Sequence, residues 1–256
     1  MKIMDIVKFR WPELLMILGF HACALFLFGD IDLPQTPDDQ QPFSGTQFLL
    51  GMGIAAMAII SQMMLWGFLR TVAVSQAQPI PPGQLLVAGR WYFWKLFAFQ
   101  IILMLLLILA ASVLQVVLTL SLYGSAAVNH SPAWVQIISL LTAWVIFLKP
   151  FYFVPAVVLA KDISPLESLR AIRLLNLWEM KPFLSMVVLF FGAVGGVELL
   201  SGLVNRGDLL YYPLLVLQSI VMSVGVIAVF LSAMLEVLRR IPKPSRQQTE
   251  GENDES

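Results

Sequence analysis

Long runs of apolar residues alternate along the chain with short polar segments. A helix needs about 20 mainly apolar residues to cross a bilayer, because its backbone amides must be hydrogen-bonded within the segment where water is absent. Six runs reach or approach that length, at residues 14–28, 48–69, 96–122, 134–160, 183–204 and 213–238. The pattern predicts an all-α polytopic integral membrane protein, a helical bundle with six transmembrane helices and both termini on one side.

The distribution of Lys and Arg predicts which side that is. Basic residues near the ends of spans resist translocation, whereas Asp and Glu have little influence. If the N-terminus is inside, one basic residue (Arg206) lies in an outer loop and Lys149 lies within the fourth span. We therefore expect both termini to be cytoplasmic, in a bacterial inner membrane. The inner segments hold Lys2, Lys8, Arg10, Arg70, Arg90, Lys95, Lys161, Arg170, Arg173, Lys181, Arg239, Arg240, Lys243 and Arg246.

Two of the inner segments resemble each other. Residues 80–90 align without gaps on residues 163–173, with five of eleven positions identical. Each segment has a Pro where a helix would begin, and Ser164 and Glu167 have the spacing of a capping box. We predict two interfacial amphipathic helices, at about 82–94 and 165–178. The similarity indicates a parallel structural repeat, although short cytoplasmic hairpins also tend to share Pro, Leu and Arg.

Residues 151–173, with the sequence FYFVPAVVLAKDISPLESLRAIR, resemble a pattern shared by uncharacterised bacterial inner-membrane proteins with six helices. That family is related to the membrane domain found in some glycerophosphodiester phosphodiesterases. The shared features are an apolar span with Pro155, a polar turn, and an amphipathic helix that begins with Pro165 and carries basic residues. The resemblance covers about the middle half of the chain. It implies a fold and no activity, since the family brings no established catalytic residues and no segment corresponds to the soluble phosphodiesterase barrel.

Two ionisable residues fall within predicted spans, where a charge costs about 2.5–3.5 kcal/mol at a helix centre. Lys149 and Glu198 lie roughly 18 Å and 22 Å from the inner ends of their spans at 1.5 Å per residue. We predict a buried Lys149–Glu198 ion pair. The alternative places Glu198 near the outer headgroups and lets Lys149 snorkel. Pro150 and Pro155 predict a helix kink in the fourth span, for packing or to line a cavity.

Other residues suggest contacts with lipid or protein. Gly192 and Gly196 have the small-xxx-small spacing that lets helices approach closely, which predicts packing within the bundle, self-association or binding of another membrane protein. A Lys or Arg beside an anionic leaflet gains about 1 kcal/mol. Candidate contacts with the headgroups of membrane lipids are Arg90, Lys95, Arg170, Arg173 and Lys181. The alternative is that these cations only fix the topology.

Composition limits the chemistry. Apolar residues make up 59% of the chain and charged ones 12%, about half the roughly 25% of a soluble domain. The balance of 16 basic and 16 acidic residues gives no reason to expect nucleic acid as a partner. With one cysteine and no hydrolytic or phosphoryl-transfer motif, we predict no metal site, cofactor or catalytic residue. The polar segment 241–256 predicts a disordered cytoplasmic tail.

The function favoured by these patterns is a non-enzymatic membrane module that contacts lipid or binds a partner. One alternative is a transport or permease component with a mid-membrane site built from Lys149 and Glu198. A second is a lipid-modifying membrane enzyme, which requires polar side chains that converge near the inner leaflet.

Overall fold

The computed structural model describes residues 3–29, 45–75, 81–124, 132–173, 175–204 and 208–240. Regular structure within these ranges is entirely helical, and six helices are long and apolar enough to cross a membrane. The prediction of six such helices is confirmed. The helices are α1 (Ile3–Gly29), α2 (Gly45–Ser75), α3 (Pro82–Tyr123), α4 (Ala133–Lys161), the short α5 (Pro165–Arg173), α6 (Lys181–Ser201) and α7 (Tyr211–Arg240), with a 3₁₀ turn at Leu177–Glu179 before α6. The predicted tail lies outside the described residues.

Some helices extend well beyond the apolar runs that predicted them. The interfacial helix predicted at 82–94 is not separate, because α3 runs unbroken from Pro82 to Tyr123. Its 42 residues extend over roughly 63 Å, about twice the ~30 Å of a bilayer's hydrocarbon core. The similar segments 80–90 and 163–173 therefore have different structures. The first leads into the long α3, whereas the second forms only the nine-residue α5.

The bundle is densely packed at one end and splayed at the other. The packed end holds the last residues of α2, α4 and α7 and the first residues of α1, α3 and α6. Residues 152–159 of α4 and 229–237 of α7 are buried on every side there. Towards the open end, where α3 ends and α4 begins, only single residues such as Ser139 and Ala143 are buried. The helices expose most of their surface in that half.

Aromatic side chains join the helices of the packed end. The Trp66 ring of α2 meets Phe230 of α7 edge-on, with centroids 5.1 Å apart. Tyr152 of α4 contacts the same Phe230 at 4.9 Å, and Phe153 contacts Phe183 of α6 at 4.7 Å. Edge-to-face pairs of this kind contribute about 0.5–1.5 kcal/mol beyond the burial of their surface. The cluster therefore ties four helices together.

Prolines affect α1 and α4 differently. α4 continues as one helix through Pro150 and Pro155, so these residues do not interrupt the fourth span. In α1, Arg10 lies two residues before Pro12 and has non-helical torsions, φ −122° and ψ 23°. A proline ring crowds the preceding turn and removes an amide donor, which accounts for this kink. The sequence analysis did not anticipate it.

Two glycines bring α2 and α3 into backbone contact. A Cβ atom at Gly67 would overlap the Leu85 carbonyl, and one at Gly89 would overlap the Met63 carbonyl. Gly192, predicted as a packing position, has no atom of the described residues within 4 Å of the place its Cβ would take, apart from its chain neighbours and the backbone of its own helix. The close approach within the bundle therefore occurs between α2 and α3, while the surface around Gly192 on α6 stays open.

Replacing Gly67 or Gly89 by Ala should destabilise the protein by about 1–3 kcal/mol, because the new methyl group overpacks a backbone contact. Thermal unfolding in lipid nanodiscs measures the effect. Gly192→Ala is the matched control, and we expect its melting temperature to be unchanged or slightly raised. If all three variants melt with the wild-type protein, the close approach of α2 and α3 is wrong.

Candidate functional site

The Lys and Arg side chains of the described residues all belong to helix segments in the half of the bundle that contains the packed end. Those that the sequence predicted as lipid contacts are exposed. We call this group, together with three exposed tryptophans, the rim. It consists of Arg90, Lys95, Arg170, Arg173 and Lys181 with Trp91, Trp94 and Trp178.

The tryptophans of the rim are largely exposed on the outside of the bundle. Trp91, Trp94 and Trp178 are 69%, 67% and 82% exposed, although Trp is usually largely buried in proteins. The ammonium of Lys95 lies 5.3 Å from the centre of the Trp91 ring. Trp favours the headgroup level of a membrane, since its ring is apolar and its N–H is polar. The rim therefore combines cationic groups with interfacial rings.

A second aromatic level lies at the open end. The rings of Tyr123 and Trp134 meet there, with centroids 6.4 Å apart. Along α3, Trp94 precedes Tyr123 by 29 residues, a distance of roughly 43 Å. A bilayer including its headgroups is about 40–45 Å thick. The two aromatic levels are thus separated by the thickness of one membrane.

The chain reverses between α4 and α5. Asp162 ends α4 with left-handed torsions (φ 58°, ψ 40°), which Asp tolerates better than most residues. The Glu167 amide then donates to the Ser164 hydroxyl at 3.2 Å, and the Ser164 amide donates to the Glu167 carboxylate at 3.1 Å. The capping box predicted from the sequence is confirmed, and it starts α5 at Pro165.

After this reversal, α5 runs back along α4. The Lys149 ammonium donates to the Arg173 backbone carbonyl at 3.3 Å, although Lys149 precedes the end of α4 by twelve residues. Twelve residues correspond to about 18 Å, so this contact requires the two helices to lie side by side. Ile172 is buried in the common core, while Leu166 is 74% exposed. The helix predicted at 165–178 therefore ends earlier, at Arg173, and packs only the later part of its apolar side on protein.

The predicted ion pair between Lys149 and Glu198 does not form. The Glu198 carboxylate accepts a hydrogen bond from the Gln218 amide at 2.6 Å, while Lys149 contacts α5. The sequence placed both residues at similar depths, but depth does not determine which neighbour a helix face meets. α6 packs along α7, which directs Glu198 to α7 and away from α4. This prediction was wrong.

Double-mutant cycles test whether Glu198 interacts with Lys149, as predicted, or with Gln218, as in the structure. Because Lys149 and Glu198 have different partners, the effects of Lys149→Met and Glu198→Leu on the free energy of unfolding should add within about 0.5 kcal/mol. Glu198→Leu and Gln218→Leu should be coupled by about 1 kcal/mol, since they remove the same hydrogen bond. Denaturant titration in mixed micelles measures both. A coupling above about 1 kcal/mol for Lys149 with Glu198 would contradict the geometry.

Sequence reasoning missed a polar cluster at the packed end. Arg70 donates from Nη1 to the Leu159 carbonyl at 2.6 Å and lies 3.8 Å from the Asp162 carboxylate. The Tyr92 hydroxyl donates to the same carboxylate at 2.9 Å. These contacts join the ends of α2 and α4 to the start of α3. The sequence did contain a signal for this cluster, because Arg70 is a cation at the end of span two and Asp162 is an acid just after span four. Both spans run in the same direction, so these two ends lie on the same side of the bundle.

Arg10 is fully buried, although the sequence analysis counted it with the inner cations. Its Nε donates to the Glu13 carboxylate at 2.6 Å, and its Nη2 donates to the Thr71 hydroxyl at 2.7 Å. Its guanidinium carbon lies 4.6 Å from the centre of the Phe68 ring. A buried cation requires such partners, because the desolvation of an unpaired charge costs several kcal/mol. Arg10 therefore stabilises the α1–α2 contact and is unavailable to lipid.

An apolar groove separates the open halves of α3 and α4. It has a volume of about 500 Å³ and is lined on α3 by Leu106, Val113 and Val117 and on α4 by Ile146 and Phe147, among others. A smaller pocket of about 230 Å³, between α6 and α7, has polar groups on its wall. The groove is therefore the larger of the two, and its lining is almost wholly apolar.

No family model, curated protein or solved structure matches the chain. Across the ranges that the structure describes, no group of three or more His, Cys, Asp or Glu side chains is arranged to hold a metal ion. The rim, the groove and the reversal at α5 are the features of the structure that bear on function.

Proposed function

We propose that this chain is a multi-pass inner-membrane protein that acts as a non-enzymatic module by contacting anionic lipid headgroups through its rim. One observation carries the proposal: the exposed cations and the three tryptophans of the rim occupy one end of the bundle, a membrane thickness from the aromatic residues at the other end. This is the arrangement by which a protein is held at a defined depth in a bilayer.

The packed end belongs on the cytoplasmic side in this proposal. Lys and Arg near the ends of spans are retained there, and the described cations all lie towards the packed end. The cytoplasmic leaflet carries anionic lipids, beside which each cation gains about 1 kcal/mol. Five exposed cations therefore supply on the order of 5 kcal/mol at low salt, and less when salt screens them.

The rival functions have weaker support. The transport alternative rested on a Lys149–Glu198 site, and these side chains have separate partners. A lipid-modifying enzyme needs free polar groups that converge near the inner leaflet, whereas Arg70, Tyr92 and Asp162 are engaged with one another. Binding of another membrane protein or self-association through Gly192 and Gly196 stays part of the proposal, because both glycines face open space.

Anionic lipid should stabilise the protein through the rim. In nanodiscs of phosphatidylcholine, adding phosphatidylglycerol should raise the melting temperature, and high salt should reduce the increase because the interaction is electrostatic. The variant Arg90→Gln/Lys95→Gln/Lys181→Gln should lose most of the increase.

The control variant Arg90→Lys/Lys95→Arg/Lys181→Arg keeps the charges and should behave as the wild-type protein. An equal increase in the charge-removed and charge-preserving variants would show that the rim does not recognise anionic lipid.

A further inference from the structure

The smaller pocket lies between the end of α6 and the start of α7, at the end of the bundle opposite the rim. We propose that this pocket binds a primary ammonium group, carried by an aminophospholipid headgroup or by a small free amine. The inference goes beyond the proposed function, because it concerns the other end of the bundle and a ligand of opposite charge. The residues that line the pocket are Ser201, Val204, Tyr211, Leu214, Leu215 and Gln218.

A carboxylate borders the pocket. The side-chain amide of Gln218, a lining residue, donates to the Glu198 carboxylate at 2.6 Å. Ser201, which lines the pocket from α6, follows Glu198 by three residues, so the two lie on the same face of that helix. A carboxylate offers about four acceptor sites, and Gln218 is the only partner of Glu198 within the described ranges. Most acceptor sites of Glu198 are therefore open beside the pocket.

The Ser201 hydroxyl is a second group with unused hydrogen-bonding capacity. Its oxygen is buried and has no hydrogen-bond partner among the residues that the structure describes, although Ser201 lines the pocket. Buried polar atoms are almost always hydrogen-bonded in folded proteins, so this oxygen favours a polar occupant. α6 ends at Ser201, and the last carbonyls of a helix carry partial negative charge. The polar wall of the pocket therefore favours a cation.

The start of α7 lies at the second aromatic level. α4 and α7 both end at the packed end, so they run in the same direction. Tyr152 follows Trp134 by 18 residues, and Phe230 follows Tyr212 by the same number. The rings of Tyr152 and Phe230 are in contact, with centroids 4.9 Å apart. Tyr212 therefore lies at about the same level as Trp134.

This register gives the depth of the Glu198 carboxylate. Gln218 follows Tyr212 by six residues, which corresponds to roughly 9 Å along α7. Each headgroup region is about 5–8 Å thick, so the contact between Gln218 and Glu198 lies close to the edge of the hydrocarbon core. Ionisable groups at membrane depth are usually paired with an opposite charge. The described Lys and Arg residues all belong to the other half of the bundle, so a bound cation would supply that charge.

The size and the donor set of the pocket select the kind of cation. Its volume of about 230 Å³ is below the 300–1,000 Å³ typical of ligand pockets, which suits a small group. Ca²⁺ takes about six to eight oxygen ligands, more than this single carboxylate and its neighbours supply. A quaternary ammonium lacks N–H donors and favours an aromatic cage. A primary ammonium has three donors for Glu198 and Ser201, and its methylene groups would contact Leu214 and Leu215.

Native mass spectrometry with titrated lipid tests the proposal. The probes are dioleoyl phosphatidylethanolamine and dioleoyl phosphatidylcholine, which share their chains and differ in the three N–H donors. The first phosphatidylethanolamine should bind about tenfold more tightly, a ratio that corresponds to about 1.4 kcal/mol and is near the lower limit for a hydrogen bond to a charged group. Glu198→Gln should remove this preference, and Ser201→Ala should reduce it.

Free amines identify the source of the ammonium. Ethanolamine and choline are titrated into the protein in nanodiscs of phosphatidylcholine, and the melting temperature is measured. If ethanolamine raises it and choline does not, the pocket takes a free amine. If neither has an effect but phosphatidylethanolamine binds preferentially, the ammonium must be carried by a lipid. Either result supports the proposal when Glu198→Gln removes it.

Matched variants make the result specific to the pocket. Leu214→Trp places a large ring in the pocket and should abolish the preference for the primary ammonium. Leu217→Trp places the same ring on an exposed position of α7 that does not line the pocket, and it should bind as the wild-type protein. Glu179→Gln removes a carboxylate at the packed end and should also leave the preference unchanged.

Three results would overturn the proposal. The wild-type protein could show neither a preference for phosphatidylethanolamine nor a response to ethanolamine. A preference that persists in Glu198→Gln would place the site elsewhere. A preference that appears only in Arg206→Gln would show that this chain's own guanidinium, outside the described residues, is the occupant. Each of these results leaves the contact of the rim with anionic lipid standing, since phosphatidylglycerol tests that separately.

Discussion

The cost of placing a charge in hydrocarbon determines how this bundle is arranged. An unpaired cation is tolerated only at the interface or against a partner, and the described cations other than Lys149 follow that rule. Arg10 is buried with Glu13, and Arg70 lies beside Asp162, while the cations of the rim are exposed. Lys149 departs from the rule, since its contact is the neutral carbonyl at the end of α5.

The dense packing of one end follows from the same constraint. Backbone groups outside a helix must be satisfied by protein where lipid surrounds them, and the reversal between α4 and α5 is covered by its capping box and the Asp162–Tyr92 contact. The aromatic cluster and the Gly67–Gly89 approach fill the space around it. In the open half, α3 and α4 bury few of their described residues, and the apolar groove lies between them.

Local signals in the sequence predicted local structure well. The apolar runs predicted six helices because span length is set by the membrane, and Ser164 with Glu167 predicted the start of α5 because capping acts within one turn. Contacts between helices were not predictable in the same way. Lys149 and Glu198 have similar depths but face different helices, and Gly67 was not distinguished from glycines that face open space. Tertiary neighbours, absent from a single sequence, determine these positions.

We propose that the packed end lies on the cytoplasmic side and the open end on the other. Labelling with a membrane-impermeant maleimide tests it most directly, with Cys23 replaced by Ala and single cysteines introduced at the exposed residues Gln84 and Leu209. In intact cells the cysteine at 209 should react, and the one at 84 should react only after the inner membrane is permeabilised. Labelling at 84 from outside, with 209 protected, would contradict the account.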